Sequence, residues 1–243
     1  MKIATILPIA HLNLEKFNDY HLCLAHLLGD IEYHNFFWKQ QDKYVIMDNG
    51  VVETGKAMPI KRLISLAKSV GATEMVLPDE IHDCSLTLQM AHDAMYEIKQ
   101  QELDIKIMAV PQGRNLAEWQ TCVREYLRMG IDCIGISRFI VKYISREEAL
   151  ASTPELLESK LDIHLLGCPN RPQEIADINA RFGNRIRGVD SGVATMYTQE
   201  GIRMSDGENK PDVELHFFET IQNQILLVEN VEYWRRSAIK GEK

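Results

Sequence analysis

Short apolar runs alternate along the chain with longer segments in which apolar residues recur every three or four positions, the pattern of repeated βα units. The runs that read as strands are Ile3 to Leu7, Tyr44 to Met47, Glu74 to Leu77, Ile105 to Val110, Asp132 to Ile136, Leu161 to Leu166 and Arg185 to Val189. A weaker eighth lies near Val193 to Tyr197. Between them the helices carry their own start signals. Pro59 opens a segment in which Ile60, Leu63, Ile64 and Ala67 fall on one face. Asp83 is placed to cap the segment carrying Met90, Ala91, Ala94, Met95 and Ile98, and Asn115 with Glu118, like Ser145 with Glu148, has capping-box spacing. Pro154 and Pro172 sit where helices can begin, and Phe217 to Val228 reads as a last long helix.

An unbroken series of such units predicts a (β/α)8 TIM-type barrel, one domain spanning residues 1–243, with its eighth strand the least defined. An open doubly wound sheet is disfavoured because no Gly-rich dinucleotide loop follows the first strand. Two stretches stand outside the pattern. Glu32 to Trp38 is strongly aromatic and reads as a short extra strand or a loop over the barrel mouth; Ser191 to Asp212, rich in Gly, Ser, Asp and Asn, reads as a long loop.

Composition narrows the class without choosing a function. No apolar run approaches the roughly 20 residues that span a bilayer. The run before Pro8 is too short for a secretory signal, so it reads as the first strand of a cytoplasmic protein. The five cysteines are odd in number and scattered through apolar segments, the pattern of reduced core residues. A net charge of -8 argues against a chain that coats nucleic acid, because phosphate neutralisation needs positive charge. Cations do gather locally, at Arg114, Arg124, Arg128, Arg138, Lys142 and Arg146, and again at Arg235, Arg236, Lys240 and Lys243, although solvated helix faces account for most such runs.

Chemistry in a barrel of this type sits where the strands end. The residues that follow the apolar runs are Asp48-Asn49-Gly50, Pro78-Asp79-Glu80, Pro111-Gln112-Gly113, Gly135-Ile136-Ser137, Gly167-Cys168-Pro169 and Asp190-Ser191-Gly192. Any one of the acids alone reads as a turn residue. Together they provide a carboxylate able to attack an electrophilic carbon, a second able to move protons, and polar groups able to bond a ring.

In this order the set resembles the tRNA-guanine transglycosylase superfamily, and within it the short, zinc-free phage and bacterial branch that places 7-deazaguanine bases in DNA. The similarity runs from about Tyr44 to Thr195. The resemblance implies that Asp48, with Asn49 where the family has serine, is the general acid/base, and that Asp190 in Val189-Asp190-Ser191-Gly192-Val193-Ala194-Thr195 is the nucleophile. It gives base recognition to Asp79, to Gln112 and Gly113, to the backbone at Gly135 and Ile136, and to Leu166 and Gly167. Members acting on tRNA carry a Cys-x-Cys-x-x-Cys zinc cluster; here no two cysteines lie so close, so no metal and no cofactor is expected.

The function so implied is that of a pentosyltransferase, exchanging guanine in nucleic acid for a 7-deazaguanine base through a covalent aspartyl-glycosyl intermediate. DNA is favoured over tRNA as the acceptor, the target nucleotide would be single-stranded or flipped out, and Arg114, Arg138 and Lys142 are candidate phosphate contacts. The alternatives are a queuine- or archaeosine-type tRNA enzyme, a non-catalytic partner subunit that binds nucleic acid or base, and an unrelated small-molecule barrel enzyme such as an aldolase or phosphate-handling isomerase. The last is disfavoured because Asp190-Ser191-Gly192 is too polar and too poor in glycine for a phosphate loop.

Overall fold

Seven of the apolar runs form strands, and the remaining strand lies where the pattern did not put it. In chain order the strands are β1 (Lys2–Thr5), β2 (His21–Leu24), β3 (Val45–Asp48), β4 (Glu74–Val76), β5 (Lys106–Ala109), β6 (Cys133–Ser137), β7 (Asp162–Leu166) and β8 (Ile186–Ser191). They form one eight-stranded sheet in the order β1-β8-β7-β6-β5-β4-β3-β2, and the fold is a (β/α)8 TIM-type barrel. The computed structural model describes residues 1–168, 172–207 and 209–240; Pro169 and Lys243, named above, lie outside them.

The strand that escaped notice is β2. All four of its residues are buried, so it shows no apolar and polar alternation. Helical 3-10 segments, Ile9–Phe17 and Ala25–Gly29, flank it in place of Gly- or Pro-rich turns. The weak strand expected near Val193 to Tyr197 is instead a helix, Val193–Gln199. Its residues from Val193 to Thr198 are buried on every side, which erases the helical period. This helix and the 3-10 turn Met204–Asp206 also replace much of the loop expected from Ser191 onward.

The aromatic stretch is a helix as well, Ile31–Trp38, whose first backbone N–H groups at Glu32 and Tyr33 are accepted by the Asp30 carboxylate. The last helix runs from Gln224 to Lys240, starting later than the apolar pattern suggested. Ahead of it the backbone is already committed, since Phe217 accepts from the Ile9 N–H at 2.9 Å and the Ile221 N–H is donated to His11 Nε2 at 2.9 Å. Asn223 then caps the helix by accepting the Leu226 N–H at 3.1 Å.

The chain divides into two compact units, residues 21–164 and residues 1–20 with 165–243. In the central unit β2 to β6 run parallel, with Leu24 opposite Asp48, Met47 opposite Met75, Val76 opposite Met108 and Ala109 opposite Ile134. This register brings the C-terminal ends of neighbouring strands level. Helices Ile60–Val70, Cys84–Gln100 and Leu116–Met129 cover this sheet with one face each, burying for example Leu63, Ile64 and Ala67, then Ala91 and Ala94, then Trp119 and Val123. Each fully buried leucine, isoleucine or valine among them contributes about 1.5–3 kcal/mol of transfer free energy. The caps predicted at Asp83, Asn115 and Ser145 form, each accepting a backbone N–H of the first turn.

In the other unit β1 pairs with β8, placing Ala4 opposite Asp190 and Thr5 opposite Ser191. Helix Gln224–Lys240 packs on helices Pro172–Phe182 and Val193–Gln199, with Trp234 at its centre. The fully buried Asn230 ties that packing together. It donates to Thr198 Oγ1 at 3.0 Å and to the Ile202 carbonyl at 2.9 Å, and accepts the Met204 N–H at 2.9 Å.

Candidate functional site

Three of the strand-end residues meet in one hydrogen-bonded group in the central unit. Asp79 follows β4 by three residues, Asn49 follows β3 directly, and Gln112 lies three residues past β5. The Asn49 amide donates from Nδ2 to Asp79 Oδ1 at 2.6 Å and to the Leu77 carbonyl at 2.7 Å, while its Oδ1 accepts the Val51 N–H at 2.9 Å. Gln112 Nε2 donates to Asp79 Oδ2 at 2.6 Å, and Gln112 Oε1 accepts the backbone N–H of His82 at 3.1 Å. The two amides are thereby fixed in orientation, each with its oxygen occupied by a backbone donor and its nitrogen aimed at the same carboxylate.

Asp79 is only 2% exposed. Burial pushes its pKa up to about 6; the Asn49 and Gln112 hydrogen bonds pull the other way, and the Glu80 charge adds a smaller upward push. A carboxyl that changes charge near neutrality, with both oxygens held by oriented donors, is a group that can take up and return a proton.

The other expected site residues occupy varied surroundings. Asp48, half-buried at the end of β3, accepts the Gly50 N–H through Oδ2 at 2.8 Å. Gly50 itself has φ +77, a left-handed conformation that suits glycine. Gly113 lies under the first turn of helix Leu116–Met129, where an added Cβ would meet the Trp119 nitrogen at 2.7 Å. Gly135 and Ile136 are buried within β6, and the Ile136 carbonyl accepts from the buried Arg146 guanidinium at 3.3 Å. Arg114 pairs with Asp83 at 3.5 Å, and the Arg138 guanidinium lies 5.0 Å from the centre of the Phe139 ring. Lys142 is exposed, its ammonium 5.9 Å from the centre of the Tyr143 ring.

In the unit that holds the chain ends, Asp190 is buried at the end of β8 and its carbonyl accepts the Gly167 N–H at 3.0 Å. Leu166 ends β7, and Gly167 follows it with φ +73. The Ser191 hydroxyl accepts from the Val193 N–H at 3.1 Å and the Cys168 N–H at 3.3 Å, which closes the turn into helix Val193–Gln199.

Sequence reasoning overlooked His82 and Tyr143. Their rings make an edge-to-face contact with centroids 5.1 Å apart. His82 has φ +69, a conformation that a residue with a Cβ rarely adopts, and neither that backbone nor the ring contact has a signature in a single sequence. Among the described residues no cluster of three or more His, Cys, Asp or Glu side chains could hold a metal ion, and no helix is long and apolar enough to cross a membrane.

No family model matches the sequence, and no curated protein matches it either. Solved structures do match. D-psicose 3-epimerase, determined in the presence of D-fructose, is 11% identical, with 100% of both chains covered and a TM-score of 0.57. 2,3-Dimethylmalate lyase, a member of the PEP mutase/isocitrate lyase superfamily, is 13% identical over 98% of this chain and 93% of its own, with a TM-score of 0.51. A protein from Burkholderia cenocepacia J2315 described as a phosphonomutase is 12% identical over 82% of this chain and 88% of its own, again with a TM-score of 0.51. At such identities the likeness extends to the fold alone.

These comparisons correct the transglycosylase reading. These three barrels are an epimerase, a lyase and a protein described as a phosphonomutase, not guanine transglycosylases, and no family model or curated relative ties the chain to guanine exchange, to 7-deazaguanine or to a phage DNA-modifying family. The physical reason for the misreading lies in what the six motifs have in common. Each is a polar turn at a strand end, and a (β/α)8 barrel puts such turns at the mouth whatever its chemistry. The atoms of Asp79 and Gln112 expected to read a base are bonded to each other, to Asn49 and to the His82 backbone.

Proposed function

We propose that the protein is an enzyme that transfers protons on a small polar molecule, with Asp79 as the group that takes and returns the proton. The observation that carries this reading is the Asn49–Asp79–Gln112 group: a buried carboxyl with its pKa pushed up to about 6, gripped by two oriented amides at neighbouring strand ends. That the fold also serves an epimerase and a lyase is consistent with it, since acid–base steps belong to both reaction classes.

Above pH 6 the ionised carboxylate is held where burial disfavours its charge, which makes it a stronger base than an exposed aspartate. A substrate reaches Oδ2 by displacing the Gln112 amide. The carboxylate then takes a proton from a carbon beside a carbonyl, and the C–H electron pair moves onto the carbonyl oxygen as an enolate. Asn49 keeps the other carboxylate oxygen in place. Return of the proton to either face of that carbon regenerates the ionised Asp79 and gives starting material or its epimer. Asp48, at the end of the adjacent strand, is the second polar group that the reading places beside the substrate.

The test is proton exchange. The protein is incubated in D2O with a panel of ketoses and 2-oxo acids, and loss of the C–H signal beside the carbonyl is followed by 1H NMR. Exchange is expected with at least one member, rising as pH passes about 6, and Asp79→Asn should slow it by roughly 10²–10⁴. Folded protein that exchanges none of them, or an Asp79→Asn variant as active as the parent, overturns the proposal.

A further inference from the structure

We infer that His82, Lys142 and Tyr143 form a subsite for an anionic group, a carboxylate or a phosphate, on the molecule that Asp79 acts upon. The inference rests on the reading of Asp79 given above and adds to it the chemistry of the substrate. Two loops supply the three side chains: His82 lies in the segment between β4 and helix Cys84–Gln100, and Lys142 and Tyr143 follow β6. The His82 ring meets the Tyr143 ring at 5.1 Å, and the Lys142 ammonium lies 5.9 Å from the centre of the same tyrosine ring.

The backbone at His82 is specialised. Among the described residues, two that are not glycine have positive φ, Glu102 and His82. Glu102 sits two residues past the end of helix Cys84–Gln100, a place where left-handed backbone commonly stops a helix. His82 lies ahead of that helix and has no such use. Its conformation aims the N–H at Gln112 Oε1, at 3.1 Å, and so couples this loop to the amide that holds Asp79. Strained backbone of this kind persists where the surroundings over-determine it, and it concentrates at ligand sites.

The charges point to the class of ligand. Among the described residues Lys142 makes no ion pair, whereas Arg114 meets Asp83 and Arg124 meets Glu155. Of the acids nearest in sequence to His82, Asp83 is engaged, holding Arg114 and capping the helix through the Leu86 N–H, while the Glu80 carboxylate acts on Asp79, whose pKa its charge raises. Burial lowers the His82 pKa, and the Lys142 charge lowers it further. At neutral pH the loops therefore present an unpaired ammonium beside a neutral imidazole. An anion lodged there would pair with the first and favour protonation of the second.

That coupling gives the experiment. The His82 Cε1–H resonance is followed by 1H–13C NMR as a function of pH, in the full-length protein, with increasing inorganic phosphate and, separately, with malonate. The expected result is a saturable rise in the His82 pKa of about half a unit or more with at least one anion. Response to phosphate alone assigns a phosphorylated substrate, and response to malonate alone a carboxylate. Lys142→Gln should weaken the effect about tenfold, as loss of one charge-assisted contact does. His82→Asn, which tolerates the left-handed backbone, should weaken binding of the same anion in a calorimetric titration. A resonance that neither anion moves, or a response unchanged in Lys142→Gln, overturns the proposal. Asp79→Asn should retain anion binding. Anion binding without proton exchange in any substrate would uphold this subsite and discard the role of Asp79; exchange without anion binding would do the reverse.

Discussion

Replacing Asp79 by Asn tests whether the centre of the site carries an energetic burden that depends on pH. The side chain has a pKa of about 6 in the fold and 3.8 as its reference value, a rise of about 2 units. Each unit is worth about 1.36 kcal/mol, so the fold loses about 3 kcal/mol of stability from this one group as it ionises. The sign follows from proton uptake. Between pH 4 and 6 the folded chain keeps the proton that the unfolded chain has given up, so stability falls with rising pH through that window. It is highest below about 4 and levels off above about 6, where both states are ionised. Asn at position 79 cannot ionise, so this contribution to the slope vanishes. The variant carries a constant penalty instead, because its NH2 faces the donor of Asn49 or Gln112, a cost of about 1–3 kcal/mol. Urea unfolding of both proteins from pH 4.5 to 8 should show Asp79→Asn as clearly destabilised at the acid end, with the gap closing by about 2 kcal/mol toward pH 8, since about 1 of the roughly 3 kcal/mol is already lost at pH 4.5. Parallel profiles would refute the raised pKa and, with it, the basis for assigning the proton to Asp79.

Gln112→Glu puts a second carboxylate against Asp79 Oδ2 in place of a donor at 2.6 Å, so the pair should hold one proton at pH 7; carboxyl 13C shifts that show both groups ionised there would contradict the observed contact. Gly113→Ala drives a Cβ to 2.7 Å from the Trp119 backbone nitrogen and should cost about 1–3 kcal/mol, whereas Gly192→Ala meets the movable Leu215 Cδ2 at the same distance and should cost less than about 1 kcal/mol; thermal melts of the two variants give the comparison. Asn230→Ala removes the partner of Thr198, Ile202 and Met204 at once and should destabilise by about 3 kcal/mol or more in urea, and a loss under about 1 kcal/mol would mean that water replaces all three bonds.

How far the fold could be read from the sequence depended on whether each element kept a polar boundary. β3, β4, β5 and β6 end at Asp, Pro or Ser residues that break an apolar run, and these strands were visible to within a few residues. β2 and Val193 to Thr198 are buried on all sides, polar members His21, Thr195 and Thr198 included, so no exposed face sets a period by which to tell strand from helix. Helix Ile31–Trp38 failed for another reason. Its aromatic residues favour strands in isolation, and the Asp30 cap with the packing of Tyr33 and Phe37 overrode that preference.

At the site, the sequence could nominate residues but not their partners. Asn49, Asp79 and Gln112 were all visible as strand-end residues, yet their meeting depends on register, with Met47 opposite Met75 and Val76 opposite Met108. A shift of one residue between β4 and β5 would turn alternate side chains to the opposite face and separate Gln112 from Asp79. Register is a property of three strands at once, and no one motif encodes it. The same limit explains why the motif order misled. Asp, Asn, Gly and Gln recur at strand ends because turns need them, so their order can match a family that uses them for different chemistry. What the structure adds at Asp79 is its surroundings: two amides oriented by backbone donors, and burial deep enough to bring its titration near neutrality. The inference of a proton-transfer group therefore belongs to the environment of the carboxyl rather than to its place in a motif, and the pH dependence of stability probes that environment without any substrate in hand.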